Sequence, residues 1–244
     1  PESVPRFLRR AAFRWGGGAA LQAGRMTGDT SLPDLLEANR ACVACTLRPG
    51  CAAPVPGDWV GQPQARPGGL LLLGDAPGPE EDRQGRPFAG HAGEGLRTLL
   101  AGAGLDRAPL FLTTLVKCRP PAHRPPSAAE VQACTERWLR PQIAALRPGM
   151  VLTLGNAATR HLLGTGPADT GITRLRGRWQ RAAPAYGGVP LLPLLHPATA
   201  ARDEARSPGG AWDLLARDLA EAAGVWRGER EARPAAAPAP PPLF

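Results

Sequence analysis

The chain has 244 residues, enough to bury one sizeable core, and its 29 lysines and arginines against 21 acidic residues give a formal net charge of +8. It contains no apolar run of the roughly 18 residues that a membrane-spanning helix needs, and its five cysteines do not resemble the disulfide framework of a small secreted domain. A basic, water-soluble enzyme with a polyanionic partner such as DNA fits this composition.

The two ends of the chain differ in composition from the middle. Residues 1–25 hold five arginines and a Gly-Gly-Gly run, and we expect them to form a flexible extension that the folded domain does not need. A basic arm that contacts DNA is the alternative. Residues 26–228 form the predicted domain, and the proline-rich residues 229–244 are expected to be a disordered tail.

Between the ends, short apolar runs alternate with helical patterns. This alternation predicts an α/β fold with three α/β/α layers, in which helices cover both faces of a central four-stranded parallel sheet. The predicted strands are 70–73, 110–116, 151–154 and 191–195. The predicted helices are 93–103, a segment that starts at the S-x-x-E capping box of Ser127 and runs through Ile143, then 156–163 and 210–224.

Chemically useful residues follow the predicted strands. Gly74, Asp75 and Ala76 follow the first strand, Thr114 ends the second, and His196 follows the fourth. Because ligands bind beyond the carboxyl ends of parallel strands, we expect these residues to share one edge of the sheet. A carboxylate and an imidazole at such an edge are candidates for acid–base and charge-stabilising roles.

Four of the five cysteines form a candidate metal site. Cys42 and Cys45 make a C-x2-C pair, while Cys118 and Cys134 are single residues further along the chain. Four thiolates suit either tetrahedral zinc or a [4Fe–4S] cluster, and the spacing leaves both open. Cys51 has no evident partner and is interpreted as a structural thiol or a bystander.

Four stretches of the chain are similar to one known family. They are GDAPGPEEDRQGRPFAGHAG (74–93), LVKCRPP (115–121), LGNAATRHLLG (154–164) and HPA (196–198). With the four cysteines in register, the chain resembles the family 4 uracil-DNA glycosylases, the thermostable iron–sulfur class, from about residue 32 to residue 221. The resemblance implies a parallel sheet between helices and a structural [4Fe–4S] cluster on Cys42, Cys45, Cys118 and Cys134.

The resemblance also implies an activity and a set of site residues. The family hydrolyses the N-glycosidic bond of uracil in DNA, which starts base excision repair, and the base must first be flipped out of the duplex. By this resemblance Phe88 stacks on uracil, His196 donates to uracil O2, and Asp75 places the attacking water. The substrate-binding residues so implied are Gly74, Asp75, Ala76, Phe88, Thr114 and His196.

Two positions depart from the family pattern. Asp75 stands where the family usually has glutamate, and Thr114 stands where it has the asparagine that reads the uracil edge. One hydroxyl offers fewer hydrogen-bond donors and acceptors to the base than an amide does, so altered or broadened base specificity is an alternative. A non-catalytic DNA-damage-binding protein that keeps the cluster is another. No lysine is placed to form a Schiff base, which predicts a monofunctional enzyme.

The remaining expectations concern partners and location. Arg202 and Arg206, in the segment after His196, are predicted to contact DNA phosphates. Leu243 and Phe244 end the tail, and because bacterial sliding clamps accept peptides with such an ending, we expect the clamp to be a partner. We further expect a monomer that acts on double- and single-stranded DNA, and a cytoplasmic, nucleoid-associated location in a bacterium.

Overall fold

A computed structural model describes residues 30–60, 67–165, 171–204 and 210–233. The described residues form one six-stranded sheet in the order β1-β3-β2-β4-β6-β5. Its strands are β1 (Asp58–Val60), β2 (Leu70–Gly74), β3 (Leu110–Thr114), β4 (Met150–Leu154), β5 (Gln180–Arg181) and β6 (Pro190–Leu194).

The four central strands confirm the predicted parallel α/β fold. β2 pairs in parallel with β3 and with β4, and β4 pairs in parallel with β6. The sheet is wider than predicted, because β1 and β5 add short antiparallel edges to β3 and β6. With three residues and two residues, these strands are too short to carry a hydrophobic period that the sequence would reveal.

Helices cover both faces of the sheet. They are α1 (Leu32–Arg40), α2 (Pro79–Gln84), α3 (His91–Gly102), α4 (Ala128–Cys134), α5 (Arg140–Leu146), α6 (Asn156–Leu163), α7 (Ile172–Leu175), α8 (Pro197–Glu204) and α9 (Gly210–Trp226). The capping box predicted at Ser127 is present, with Glu130 as its second member. A π-helical turn, Thr135–Leu139, joins α4 to α5, so the helix predicted from Ser127 onward is one irregular run.

The strand residues alternate between two cores. Leu70 and Leu72 pack into a core with leucines of α3 and α9, while Leu71 and Leu73 pack into a second core with residues of α5 and α6. All five residues of β2 are buried, because both faces of a parallel sheet are covered. This arrangement places the carboxyl ends of the central strands side by side at one edge, where the candidate site lies.

Several predictions fall on parts of the chain that are not described. The N-terminal extension 1–25, Arg206, and the terminal pair Leu243 and Phe244 all lie outside the described residues. Within the described part, no helix combines the length and apolarity needed to cross a membrane.

Candidate active site at the carboxyl edge of the sheet

Asp75, directly after β2, is held by the start of α6. Its Oδ1 accepts a hydrogen bond of 2.7 Å from the backbone N–H of Ala158. The other carboxylate oxygen lies against Gly155, where an added Cβ would stand 2.5 Å from it, and Gly155 has a φ of +97° that favours glycine. Because Gly155 has no side chain to cap α6, Asp75 satisfies one of the unpaired N–H groups of that helix from across the site.

Asp75 and His196 influence each other's protonation. Burial raises the pKa of Asp75, and the Ala158 N–H and the nearby His196 oppose this rise. Burial lowers the pKa of His196, while the charge of Asp75 acts against that shift and Arg202 adds to it. Since burial disfavours the imidazolium, the site favours a neutral His196 at neutral pH.

The hydrogen bonding of His196 selects its tautomer. Its Nδ1 accepts a bond of 3.1 Å from the backbone N–H of Ala198, so the neutral ring carries its proton on Nε2. His196 thereby has an N–H donor on the side of the ring opposite the start of α8. Such a donor suits a developing negative charge, because it needs no prior ionisation of the ring.

Phe88 is placed by two glycines. Its backbone has a φ of +52°, unusual for a bulky residue. A Cβ on Gly93 would stand 1.9 Å from the Phe88 carbonyl oxygen, and a Cβ on Gly74 would stand 2.8 Å from the Phe88 ring. The ring is 7% exposed, contributes to the core, and has its centroid 6.5 Å from that of His196. An aromatic ring and the imidazole of His196 thus lie close together at this edge of the sheet.

The Thr114 hydroxyl is already engaged. It donates a bond of 2.8 Å to the carbonyl oxygen of Val116, and the residue is 2% exposed. The Thr114 methyl group and the Phe88 ring both lie next to Gly74. The Thr114 hydroxyl proton is therefore committed to a backbone carbonyl, and the side chain packs beside Gly74.

Glu81 is a site residue that the sequence reading missed. Its two carboxylate oxygens accept from the backbone N–H groups of Gly78 and Gly90, at 3.0 and 3.1 Å. This one side chain ties the turn after Asp75 to the turn after Phe88. An acidic residue three positions after a glycine at a helix start is a capping signal that could have found it.

Four cysteines surround a second feature, a cavity next to the carboxyl edge of the sheet. Cys42, Cys45, Cys118 and Cys134 line it, and part of it is open to solvent. Ala76 packs against this cysteine group, so the cavity adjoins the candidate active site. In the described part of the chain, no three His, Cys, Asp or Glu side chains stand close enough to hold a single metal ion.

The donors around the cavity suit a sulfur-ligated group. Trp138 donates through Nε1 to Cys42 Sγ at 3.1 Å, and the backbone N–H of Lys117 donates to Cys134 Sγ at 3.2 Å. Asn39, fully buried in the cavity wall, has neither its amide nitrogen nor its oxygen hydrogen-bonded to protein. An amide N–H aimed at bound sulfur would be satisfied there. The residues present therefore fit an iron–sulfur cluster.

Cys51 and Lys117 also belong to this region. Burial, followed by the neighbouring Cys51 thiol, raises the pKa of the Cys118 thiol. Lys117 is 1% exposed, and its Nζ donates to the Thr113 hydroxyl and the Thr114 carbonyl at 2.5 and 2.7 Å. Burial lowers the pKa of Lys117 to about 7, against the effect of Cys134. Its amine faces the protein interior.

Comparison with known proteins identifies the family. The model of the uracil DNA glycosylase superfamily matches residues 60–219. The chain belongs to this superfamily. It is 34% identical over 169 residues to a type-4 uracil-DNA glycosylase of Archaeoglobus fulgidus, covering 69% of this chain and 82% of the relative. A type-4 uracil-DNA glycosylase of Sulfurisphaera tokodaii is 35% identical over 172 residues, with 70% and 76% covered.

A second type within the superfamily is also similar to this chain. A type-5 uracil-DNA glycosylase of Thermus thermophilus is 36% identical over 165 residues, covering 61% of this chain and 70% of the relative. The similarity to the type-4 relatives covers a larger share of both chains. Superfamily membership confirms the family expected from the four sequence motifs.

The structure gathers most of the predicted site residues at one edge. Gly74, Asp75, Phe88, Thr114 and His196 surround the same point through the contacts described above. Arg202 is exposed on α8, a helix that the sequence reading did not predict. The apolar content of Pro197–Glu204 is low, so its helical period is weak.

Proposed function

We propose that this protein is a uracil-DNA glycosylase that hydrolyses the bond between uracil and deoxyribose in DNA. The observation that carries the proposal is the placement of the Phe88 ring and the His196 Nε2–H beside Asp75, in a chain whose relatives are named uracil-DNA glycosylases. A flipped base needs a flat apolar surface, a donor for its leaving-group charge and a carboxylate near the sugar.

The base is held and stabilised by two residues. The Phe88 face stacks on uracil, an interaction worth ~1–3 kcal/mol. His196 donates its Nε2–H to O2, where negative charge accumulates as the glycosidic bond breaks. Ala198 supports this role because its N–H holds Nδ1 as an acceptor and so fixes the proton on Nε2. The backbone of Gly74 and Ala76 lines the same site.

Asp75 places the water that attacks the sugar. The N–H groups of Ala158 and Ala157 hold the carboxylate in position at the start of α6. The negative carboxylate also stabilises the positive charge that develops on the sugar in the transition state. Aspartate reaches one methylene less far than glutamate, and its contact with α6 fixes its direction.

We infer that Cys42, Cys45, Cys118 and Cys134 hold a [4Fe–4S] cluster. When bound, such a cluster links distant chain segments and contributes folding free energy. The shared cavity, two N–H···S bonds and the unpaired Asn39 amide support this assignment. Iron analysis of anaerobically purified protein tests it, with about four irons per chain expected; zinc without iron would contradict it.

The decisive experiment for the activity is release of free uracil from an oligonucleotide. His196→Ala is expected to lower the single-turnover rate by roughly 10²-fold, because the leaving anion loses its donor. His91→Ala, an exposed histidine on α3, serves as the matched control. An unchanged rate for His196→Ala removes this residue from the mechanism.

A second candidate function is a glycosylase with broadened base choice. The engaged Thr114 hydroxyl favours it, because this side chain then offers the base edge no free donor. Substrates with U:G, U:A, single-stranded uracil and hypoxanthine separate the two. Excision of hypoxanthine at a rate comparable to uracil would support the broader activity. Binding of every substrate without base release would instead indicate a damage-binding protein.

The remaining proposals concern the partners. We propose that Arg202, with Arg206, contacts DNA phosphates, and that Leu243 and Phe244 dock on a sliding clamp while the domain 26–228 acts as a monomer. Deleting 240–244 is expected to leave excision of short oligonucleotides intact and to weaken clamp binding. Equal clamp binding by the full and truncated chains contradicts the docking proposal.

A further inference from the structure

A proline-rich loop lies beside the candidate active site. Residues 119–126, here called the proline loop, read RPPAHRPP and begin directly after Cys118, four residues beyond the end of β3. The loop therefore leaves the sheet at the same edge as Asp75 and His196. Residues 121–125 are all exposed, so the side chains at the tip of the loop are accessible from solvent.

Two consecutive residues of the proline loop have a strained backbone. Ala122 has a φ of 50° and His123 a φ of 56°, both in the left-handed region. Histidine is one of the residue types found more often in this region, whereas Ala122 has no side-chain polar group to compensate for the steric cost. Strain of this kind persists only where the surroundings impose it, and it concentrates at functional sites.

The surroundings that impose this conformation are visible. Arg124 makes a two-pronged contact with Glu130, through bonds of 2.8 and 2.7 Å. Glu130 also accepts from the backbone N–H of Ser127 at 2.7 Å and from the hydroxyl of Thr46 at 2.9 Å. These contacts hold the pKa of Glu130 at about 2, chiefly through Arg124, so the carboxylate stays ionised.

The two arginines of the proline loop make ion pairs within the protein. Arg124, although exposed, pairs with Glu130, and the Arg119 guanidinium lies 3.7 Å from Asp82 on α2. His123 is exposed between them and makes no ion pair in the described part of the chain, so its imidazole is free to contact a partner. A rigid loop that holds one donor at a fixed place loses little conformational entropy when it binds.

We propose that the proline loop is a second DNA contact, at which the His123 imidazole donates a hydrogen bond to a backbone phosphate near the flipped nucleotide. The proposal rests on the proposed function, because it takes the DNA strand to cross this edge of the sheet. Phosphate oxygens accept such bonds, and contacts of this kind set register rather than sequence preference. The net charge of the chain, +8, favours association with a polyanion such as DNA.

The test measures the Kd of the full chain for a duplex with 2′-fluorinated deoxyuridine, which resists excision. His123→Ala is expected to raise Kd roughly threefold to tenfold, the effect of one lost hydrogen bond at a solvent-exposed position. His123→Asn keeps an N–H donor and tolerates a positive φ, so its Kd should stay within about twofold of wild type. Arg107→Ala, an exposed charge before the amino end of β3, is the matched control and should change Kd by less than twofold.

The outcomes are separable from those of the activity assay. Wild-type protein that releases uracil in the same preparation upholds the proposed function, whatever the loop does. An unchanged Kd for His123→Ala, or an equal loss for His123→Ala and His123→Asn, overturns the phosphate contact. The unfolding midpoint of His123→Ala should lie close to that of wild type, because the exposed imidazole contributes little packing.

Discussion

Two loops leave the same edge of the sheet and reach fixed shapes by different means. The first loop, residues 75–93, includes α2 and the start of α3, and its glycines make room for close contacts, as at Gly93 against the Phe88 carbonyl; Phe88 itself has a positive φ. The second, the proline loop after β3, has no glycine, so Ala122 and His123 occupy its left-handed positions. In the first loop the glycines leave space for the Phe88 ring. In the second, the backbone around His123 keeps positive φ values, which carry a steric cost.

The difference indicates how each loop would serve a substrate. Glycines allow close packing, so Phe88, Gly74 and Thr114 form a tight floor beneath a flat base. Prolines and the Arg124–Glu130 contact limit the motion of the second loop, so its tip stays in one place relative to the carboxyl edge of the sheet. Changes in the first loop should therefore affect chemistry most, and changes in the second should affect stability and DNA binding.

The largest expected effect is that of Asp75→Asn, which keeps an oxygen for the Ala158 N–H but removes the charge. Single-turnover excision should fall by on the order of 10²-fold at neutral pH. Because burial raises the pKa of Asp75, wild-type excision should decline on acidification at a pH above the ordinary value for aspartate, as the carboxylate is protonated. A pH–rate profile in which the variant retains this acidic decline would assign it to another group.

Gly93→Ala tests the glycine-built loop directly. Its new Cβ would stand 1.9 Å from the Phe88 carbonyl, and we expect a loss of ~1–3 kcal/mol in the free energy of unfolding, together with slower excision. Gly102→Ala, in the same helix with nothing within 4 Å of the added Cβ, is the matched control. Denaturant unfolding should show the control equal to wild type or slightly more stable; equal losses would refute the contact.

Thr114→Asn tests the floor between the two loops. An amide at this position can donate and accept, so preference for uracil over hypoxanthine should rise by about tenfold, the effect of one base-edge contact. Competition assays with both substrates measure it. Thr114→Val, which removes only the bond to Val116, should leave base preference unchanged. If the asparagine variant also shows no change, residue 114 does not reach the base edge.

The smallest expected effect is that of Glu130→Gln at the base of the proline loop. The folded-state pKa of Glu130, about 2, lies below its ordinary 4.5, so its stabilising contribution is present above pH 4.5 and is lost as pH falls toward 2. We expect the variant to have a Tm about 2–4 °C lower than wild type at pH 7, with the gap closing on acidification.

Glu80→Gln provides the comparison for this measurement, since Glu80 makes an exposed ion pair with Arg83. Its Tm should follow that of wild type throughout, because exposed pairs contribute little. A gap for Glu130→Gln that stays constant between pH 7 and pH 3 would mean that the carboxylate charge is not what anchors the loop.

The sequence by itself determined the layered fold and most of the residues at the carboxyl edge of the sheet. Runs such as 70–73 and 151–154 are apolar throughout because both faces of a parallel sheet are buried, and that property is local. The capping signal at Ser127 is local as well, and it too was present as predicted. Asp75 and His196 could be placed at one edge because the carboxyl ends of parallel strands must meet there.

Only the tertiary structure decided what those residues touch. The contact of Asp75 with Ala158 joins residues 83 positions apart, and the Trp138 donor to Cys42 spans 96, so no local pattern encodes either. The tautomer of His196, the engaged Thr114 hydroxyl and the unpaired Asn39 amide depend on which backbone groups arrive nearby. Such pairings follow from the packing of whole elements, whereas propensity and periodicity act within a few residues of the chain.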